Sequence, residues 1–457
     1  MNWATIRSEV PGILGLSVPI VIGLAATTLL GVTDSIMLAP LGPVPLAAVG
    51  LTMAVAIILY AAIYGMLQTI SVRIGAAYGA GDGRAIPLIL RNGLALGALA
   101  GVSGAGIMAT LWFALPLLGQ PSEVLAAMPG YWVAMALLLI PFSVLLVFKS
   151  AFEAIGRPWL GTGFAFVAVV VNVPLNYALI WGIGPVPALG LTGSGIGSVL
   201  AESVALAVAW IWWVRAPSLR RTRLRRPLIR AEMASVAREG MPLGAMYIAE
   251  TGAEAMGTIM IGTFGAVALA GNQVAQSVGA LLYMVPLGIA GAVSIVVAQA
   301  LGAGQAARLR AVAFAGLTIA MIWLSAAVVI LTVFGRAIAM MITDDPAVVA
   351  VAVTVFVVFA VMQVADGVQS TMLGALRGIS DTRWSAIVSI VAFWGVGLPL
   401  GWVLSGWLGP AGVWVGFGAA LFGAGAALTW RFWQKTVLRA PSVNVIVAAN
   451  TGKDRQP

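Results

Sequence analysis

The chain has 457 residues, 61% of them hydrophobic and 9% charged, with 24 Lys and Arg against 15 Asp and Glu for a net charge of +9. Its mean hydropathy of +1.05 lies far from the composition of soluble domains and points to lipid. Cys and His are both absent, which excludes thiolate and imidazole metal sites, haem, iron–sulfur clusters and Ser–His or Cys–His nucleophiles, and no enzyme is expected.

Met1–Val10 leads into apolar sequence without a small-residue cleavage pattern, so it reads as part of a retained first helix rather than a signal peptide. Apolar segments of roughly 20 residues, the length a helix needs to cross the hydrocarbon core, then recur along the chain. They predict helices near 11–38, 46–72, 88–116, 124–148, 159–182, 189–214, 237–262, 267–298, 311–335, 347–374, 384–405 and 410–434. The strict alternation of barrel strands is missing. The expected fold is an all-α polytopic membrane protein of twelve transmembrane helices.

The predicted connections alternate in Lys and Arg. Arg7, Arg73, Arg84, Arg91, Lys149, Arg157, Arg308, Arg310, Arg377, Arg383, the arginines from Arg215 to Arg238 and the basic residues from Arg431 to Arg455 share one side; Arg336 alone falls on the other. Basic loops resist translocation, so that side is expected to be cytoplasmic, with both termini on it. Topology thus accounts for the net charge, and no nucleic-acid partner is expected. The Arg-rich stretch from Arg215 to Arg230 reads as a solvated linker rather than a specific anionic-lipid site.

Displaced by 223 residues, the chain aligns with itself: Pro19 with Pro242, Gly42 with Gly265, Tyr60 with Tyr283, Gly65 with Gly288, and Gly79-Ala-Gly81 with Gly302-Ala-Gly304. Farther on, Gly156 meets Gly378 and Pro174 meets Pro399 at slightly different offsets. The expected organisation is an N-lobe (1–214), a basic linker (215–232), a C-lobe (233–439) and a polar tail (440–457), the lobes being pseudo-symmetric six-helix copies. Parallel repeats of this kind enclose a substrate path.

Five carboxylates fall within predicted helices: Asp34, Glu202, Glu250, Glu254 and Asp366. Each costs about 2.5–3.5 kcal/mol at a helix centre unless it faces water or is neutralised, and no basic residue is expected at similar depth. An acid-lined cavity that binds protons or small cations and attracts cationic ligands follows. Glu250 and Glu254 share a helix face at i, i+4; Glu202 reads as a helix-contact residue. Asn172 and Asn176 flank Pro174 and are placed with Asp34 along that cavity, whereas Gln68, Asn272, Gln276, Gln363 and Gln369 read as interhelical hydrogen-bond partners.

Gly31-Val-Thr-Asp34-Ser-Ile-Met37 with Leu46-Ala-Ala-Val49, then Val173-Pro-Leu-Asn176, Gln273 with Tyr283-Met-Val-Pro-Leu-Gly288, and Asp366 followed by Leu376-Arg-Gly378 together resemble the multidrug and toxic compound extrusion (MATE) transporters, most closely the NorM-like branch. The resemblance implies efflux of small-molecule drugs, mainly organic cations, by alternating access. It implies antiport against Na+ or H+, no cofactor, and a lipid-embedded monomer. It also implies Asp34 as the N-lobe acid and Glu250 with Asp366 as the C-lobe cation-binding pair, the place for any Na+. Met362 stands where some Na+-coupled members carry an aromatic residue. Glu202 and Glu254 lie outside the motif.

A lipid-linked precursor flippase of related architecture is the nearest alternative; it would need buried cations to grip phosphate, and none is expected. Gly79-Ala-Gly81-Asp82 resembles an intramembrane aspartyl-protease motif but reads as a turn. Gly193-Ser-Gly195-Ile-Gly197 reads as a close helix contact rather than a nucleotide loop.

Overall fold

The computed structural model describes residues 3–185, 187–224 and 226–438, apart from the side chains of Leu118 and Arg221. Arg225 and the predicted polar tail at 440–457 lie outside the described residues. The helices are α1 (Trp3–Leu38), α2 (Pro43–Gly79), α3 (Ala85–Leu111), the short α4 (Ser122–Ala127), α5 (Pro129–Ala154), α6 (Pro158–Trp181), α7 (Gly190–Arg215), α8 (Arg230–Gly262), α9 (Ala266–Gly302), α10 (Ala306–Met340) and α11 (Pro346–Gly378). They are followed by α12 (Thr382–Ile390), α13 (Leu398–Leu408) and α14 (Pro410–Leu438). No strand occurs among the described residues. Helices close all their backbone hydrogen bonds internally, as lipid demands.

Among the described residues eleven spans are long and apolar enough to cross a membrane, with α12 and α13 acting as one span through the π-helical turn Val391–Gly397. The one predicted helix outside these eleven, the seventh at 237–262, corresponds to α8, whose 33 residues include charged positions from Arg230 to Glu239 and again at Glu250 and Glu254 that lower its hydropathy. Observed helices outrun the predicted ones. The 37 residues of α2 rise about 55 Å, well beyond a hydrocarbon core of about 30 Å. Charges assigned to loops therefore belong to helix ends, where they pair: Arg73 with Glu232 and Glu239, Arg308 with Glu9, and Arg431 with Asp381.

Two compact units emerge, one of Met1–Ser17, Gly75–Gly81 and Met256–Pro457, the other of Val18–Ile74 and Asp82–Ala255. In the first, the ends of α2 and α9 cross at backbone contact. A Cβ on Gly79 would strike the carbonyl of Gln299, and one on Gly302 would strike that of Ala76. Both pairs repeat the 223-residue offset. Gly42 and Gly265 enter α2 and α9 with φ of 99° and 100°, and Gly81 and Gly304 leave them with φ of 69° and 73°. The turn after α5 refines the alignment. Arg157 N–H donates to Phe152 O as Asp381 N–H donates to Leu376 O, so Gly156 corresponds to Ser380 rather than to Gly378. Ser380 adopts φ 62°.

In the second unit the basic linker is docked rather than free. Asn92 accepts from the Ile229 N–H (2.8 Å) and donates to Pro227 O (3.4 Å), Arg91 donates to Arg226 O, and Trp213 Nε1 donates to Thr222 Oγ1 at 2.9 Å. Asp82 Oδ1 accepts from the N–H groups of Arg84 and Ala85, a turn that opens α3. Gly193 lies on the backbone of Leu179, Gly195 on Ala134 and Tyr131, and Gly197 on Asn176, so this glycine series is a helix contact.

Gly79→Ala and Gly302→Ala are expected to destabilise the protein by about 1–3 kcal/mol each, because rigid backbone must move. Ser380→Gly is expected to stabilise it by up to about 1 kcal/mol by removing a left-handed non-glycine residue. Thermal unfolding in detergent checks both.

Candidate functional site

Around Asp34 four side chains from three helices close a ring of hydrogen bonds. Asn176 Nδ2 donates to Asp34 Oδ1 (2.5 Å) and to Asn172 Oδ1 (3.1 Å). Asn172 Nδ2 donates to Ser198 Oγ (3.1 Å), which donates to Asp34 Oδ2 (3.2 Å). Asn172, Asn176 and Ser198 are buried while Asp34 is half-buried. Local sequence explains the geometry. Asn172 and Asn176 are one turn apart on α6, and Gly197 lets α7 approach until its Cα lies against the Asn176 amide, which brings the adjacent Ser198 to the carboxylate.

Both Asp34 oxygens accept in the ring, one from Asn176 and one from Ser198, and Asp34 donates to neither, so the ring suits an ionised carboxylate, which only accepts. A protonated Asp34 would need an acceptor. Asn176 Oδ1 is buried and has no hydrogen-bond partner, and turning that amide would supply one.

The second repeat builds the corresponding place differently. Helix contacts pair Gly193 with Leu179 and Gly412 with Leu404, and again Gly197 with Asn176 and Gly416 with Gly401. By those pairs Asn172 corresponds to Gly397, Asn176 to Gly401 and Ser198 to Phe417, while Asp34 corresponds to Gly257. A methyl on Gly257 or on Gly397 would lie 3.0 Å from the Phe417 ring. An aromatic ring seated on glycines thus stands where the first repeat has its hydrogen-bonded ring.

Other predicted residues are more dispersed. Asp366 is buried on α11, where Gln363 Nε2 donates to Gly279 O (3.4 Å) and Gln369 Nε2 to Ser389 Oγ (2.8 Å). In the same unit Trp414 Nε1 donates to Asn272 Oδ1 (2.8 Å) and Gln276 Nε2 to Thr258 Oγ1 (2.9 Å), as interhelical partners do. Gln273 is exposed on α9 and Tyr283 half-buried. Glu250 and Glu254 stand on α8 within the other unit, the first half-buried and the second exposed. Among the described residues no three acidic side chains gather as a metal site.

Two expectations about basic residues are corrected. Lys149 does not end a loop: α5 continues to Ala154, and the half-buried Lys149 ammonium would lie 3.3 Å from a methyl on Gly23 of α1. Glu202 of α7 lies within electrostatic range of both Lys149 and Tyr60. Arg377 is buried, its Nε donating to Ser294 Oγ at 3.0 Å and its Nη2 to Ala290 O at 3.5 Å. Sequence reasoning missed Ser198 as well; its signal was the glycine immediately before it, which marks a close helix approach.

A bundle of long apolar helices in two sequence repeats, with carboxylates set into the spans, defines a polytopic membrane transport protein. Its residues 19–178 and 242–403 match the MatE family model. The chain is 33% identical over 394 residues to the probable multidrug resistance protein NorM of Deinococcus radiodurans, spanning 83% of this chain and 85% of that protein. It is 31% identical over 390 residues to the multidrug resistance protein PmpM of Pseudomonas aeruginosa, spanning 82% and 80%. The crystal structure of the Vibrio cholerae MATE transporter VcmN in its bent form has the same fold, with a TM-score of 0.83 at 20% identity over 95% of this chain and 98% of that one. The chain belongs to the MatE family, and the two matched stretches begin at the same 223-residue offset.

Gly197→Ala is expected to reduce transport about as much as Asn176→Ala, since the added methyl would displace the Asn176 amide. Transport assays on variants matched for expression and melting temperature test this; full activity in Gly197→Ala would contradict it.

Proposed function

We propose that the chain is a multidrug efflux antiporter, expelling organic, mainly cationic or amphipathic compounds in exchange for Na+ or H+ by alternating access. The observation that carries this reading is the Asp34 ring: a carboxylate inside a span, accepting at both oxygens from Asn176 and Ser198, with no counterpart in the second repeat. Binding a proton or a cation there removes the charge that those donors serve. Glu250 and Asp366 are the proposed C-lobe cation-binding pair, and an oxygen-only donor set suits a hard monovalent cation or a proton. Asn172 and Asn176 position Asp34, Gln273 and Tyr283 contribute to the substrate path, and Glu254 and the Glu202–Lys149 couple are secondary candidates.

The two lobes (1–214 and 233–439) are proposed to exchange inward and outward openings in a monomer embedded in the inner membrane, with both termini cytoplasmic. One monovalent cation falling through 100 mV and a tenfold gradient supplies about 3.7 kcal/mol, enough for roughly a 500-fold gradient of a neutral substrate. For a monovalent cationic drug exchanged one for one the voltage terms cancel, leaving about tenfold.

A flippase would need a free buried cation to hold phosphate. The guanidinium of Arg377, buried on α11, is spent on Ser294 and Ala290.

Ethidium efflux from proteoliposomes with an imposed Na+ or pH gradient tests the proposal. Gradient-driven efflux is expected for the native chain and at least a tenfold slower rate for Asp34→Asn, Glu250→Gln and Asp366→Asn. Efflux indifferent to both gradients, or intact in all three variants, would overturn it.

A further inference from the structure

The linker and the helices beneath it enclose a groove of about 610 Å³. Along α3 it is lined by Pro87, Arg91, Ala95 and Ala98, positions that share one helix face and span about 16 Å along the axis. Its far wall is apolar, formed by Val144 of α5 with Trp210 and Trp213 of α7. Near the linker the lining turns polar at Arg91, Thr222 and Arg223. The groove is therefore amphipathic along its length, cationic at one end and hydrocarbon-like at the other.

The cationic end has donors to spare. Arg91 is exposed and gives one N–H to Arg226 O. Arg223 gives its Nη groups to Val214 O and Ala216 O at the end of α7. Its Nε is buried without a hydrogen-bond partner, as is that of Arg226. Two orphaned guanidinium donors in one short segment call for an acceptor, because a buried N–H left unpaired is costly. The second repeat differs at this point. At the 223-residue offset Arg91 corresponds to Phe314, which packs edge-on against Trp433, centroids 6.2 Å apart, while the Arg310 guanidinium lies 4.0 Å over the same indole. There the chain's own side chains fill the corresponding place.

We propose that this groove is a binding site for an anionic phospholipid of the leaflet facing the linker, its phosphate held by Arg91 and Arg223 and an acyl chain lying along Ala98, Val144 and Trp210. Charge complementarity selects the headgroup: phosphate accepts guanidinium donors in matching geometry, and the adjoining exposed arginines of the linker raise the local concentration of anionic lipid. The apolar far end selects a lipid over a free anion. Bound there, the lipid ties the linker to α3 and α7.

The test uses the full-length protein in phosphatidylcholine nanodiscs with increasing fractions of phosphatidylglycerol brominated along its acyl chains, and brominated phosphatidylcholine in parallel. The readout is the part of the tryptophan quenching that Trp210→Phe abolishes. Half-quenching is expected at about fivefold less phosphatidylglycerol than phosphatidylcholine, roughly the effect of one arginine at an anionic surface. Arg91→Gln is expected to remove that preference. Ala98→Phe, which keeps every charge and fills the apolar end, is expected to do the same, and Arg220→Gln, an exposed linker arginine outside the groove, to leave it unchanged. Equal quenching by the two lipids, an equal loss in Arg220→Gln, or full displacement by millimolar inorganic phosphate would overturn the proposal.

Discussion

In lipid, an apolar side chain gains little by turning from an acyl chain to another helix, so helices hold together where their backbones come close enough for dispersion and polar contacts to add up. This chain meets that constraint with glycine. Gly65, Gly240 and Gly244 bring α2 onto α8; Gly193 and Gly197 bring α7 onto α6; Gly412 and Gly416 bring α14 onto α13; and Gly79 and Gly302 let α2 and α9 cross. Each contact leaves no room for a Cβ. The functional geometry inherits this, since Ser198 reaches Asp34 because Gly197, one residue earlier, has no side chain to hold α7 away from Asn176.

The same scaffold, used twice, carries two different fillings. In the first repeat the space between α1, α6 and α7 holds a carboxylate, two amides and a hydroxyl; in the second the corresponding positions hold three glycines and the Phe417 ring. A buried polar ring is tolerated only when its donors and acceptors are nearly all matched, whereas a phenyl ring on glycine needs shape alone. The stable, undemanding solution is the aromatic one. The polar solution is retained on one side only, and that asymmetry is what the proposed ion response at Asp34 would draw on.

Much of this was legible in the sequence. Twelve apolar segments, the 223-residue offset and the association of Asp34 with Asn172 and Asn176 follow from hydropathy, from matched Pro and Gly positions and from an i, i+4 spacing. Other features were hidden for physical reasons. Helix ends were placed too early because hydropathy marks the hydrocarbon boundary, and a helix such as α2 continues past it into water with no change of backbone. Hydropathy likewise puts Lys149 in a loop, although a flexible stem lets its ammonium lie against Gly23 within the bundle. The linker's docking was invisible because it rests on backbone groups meeting Asn92, and composition carries no record of such contacts. The roles proposed for Glu250 and Asp366 rest on family likeness, not on periodicity.

The Asp34 ring also bears on how a local charge change could move a helix. α1 is fastened to α6 at two levels: Asp34 accepts from Asn176, and Pro19 O accepts from Thr162 Oγ1 at 2.6 Å. The anchors are 15 residues apart on α1 and 14 on α6, so the two helices run in the same direction and nearly in register between them. The Thr162 anchor is a neutral hydrogen bond that no proton or cation alters. The Asp34 anchor is charge-assisted and roughly twice as strong while the carboxylate is ionised, and it weakens once that charge is neutralised. Neutralisation would therefore weaken the fastening of α1 to α6 at the Asp34 end and leave the Thr162 end as it is.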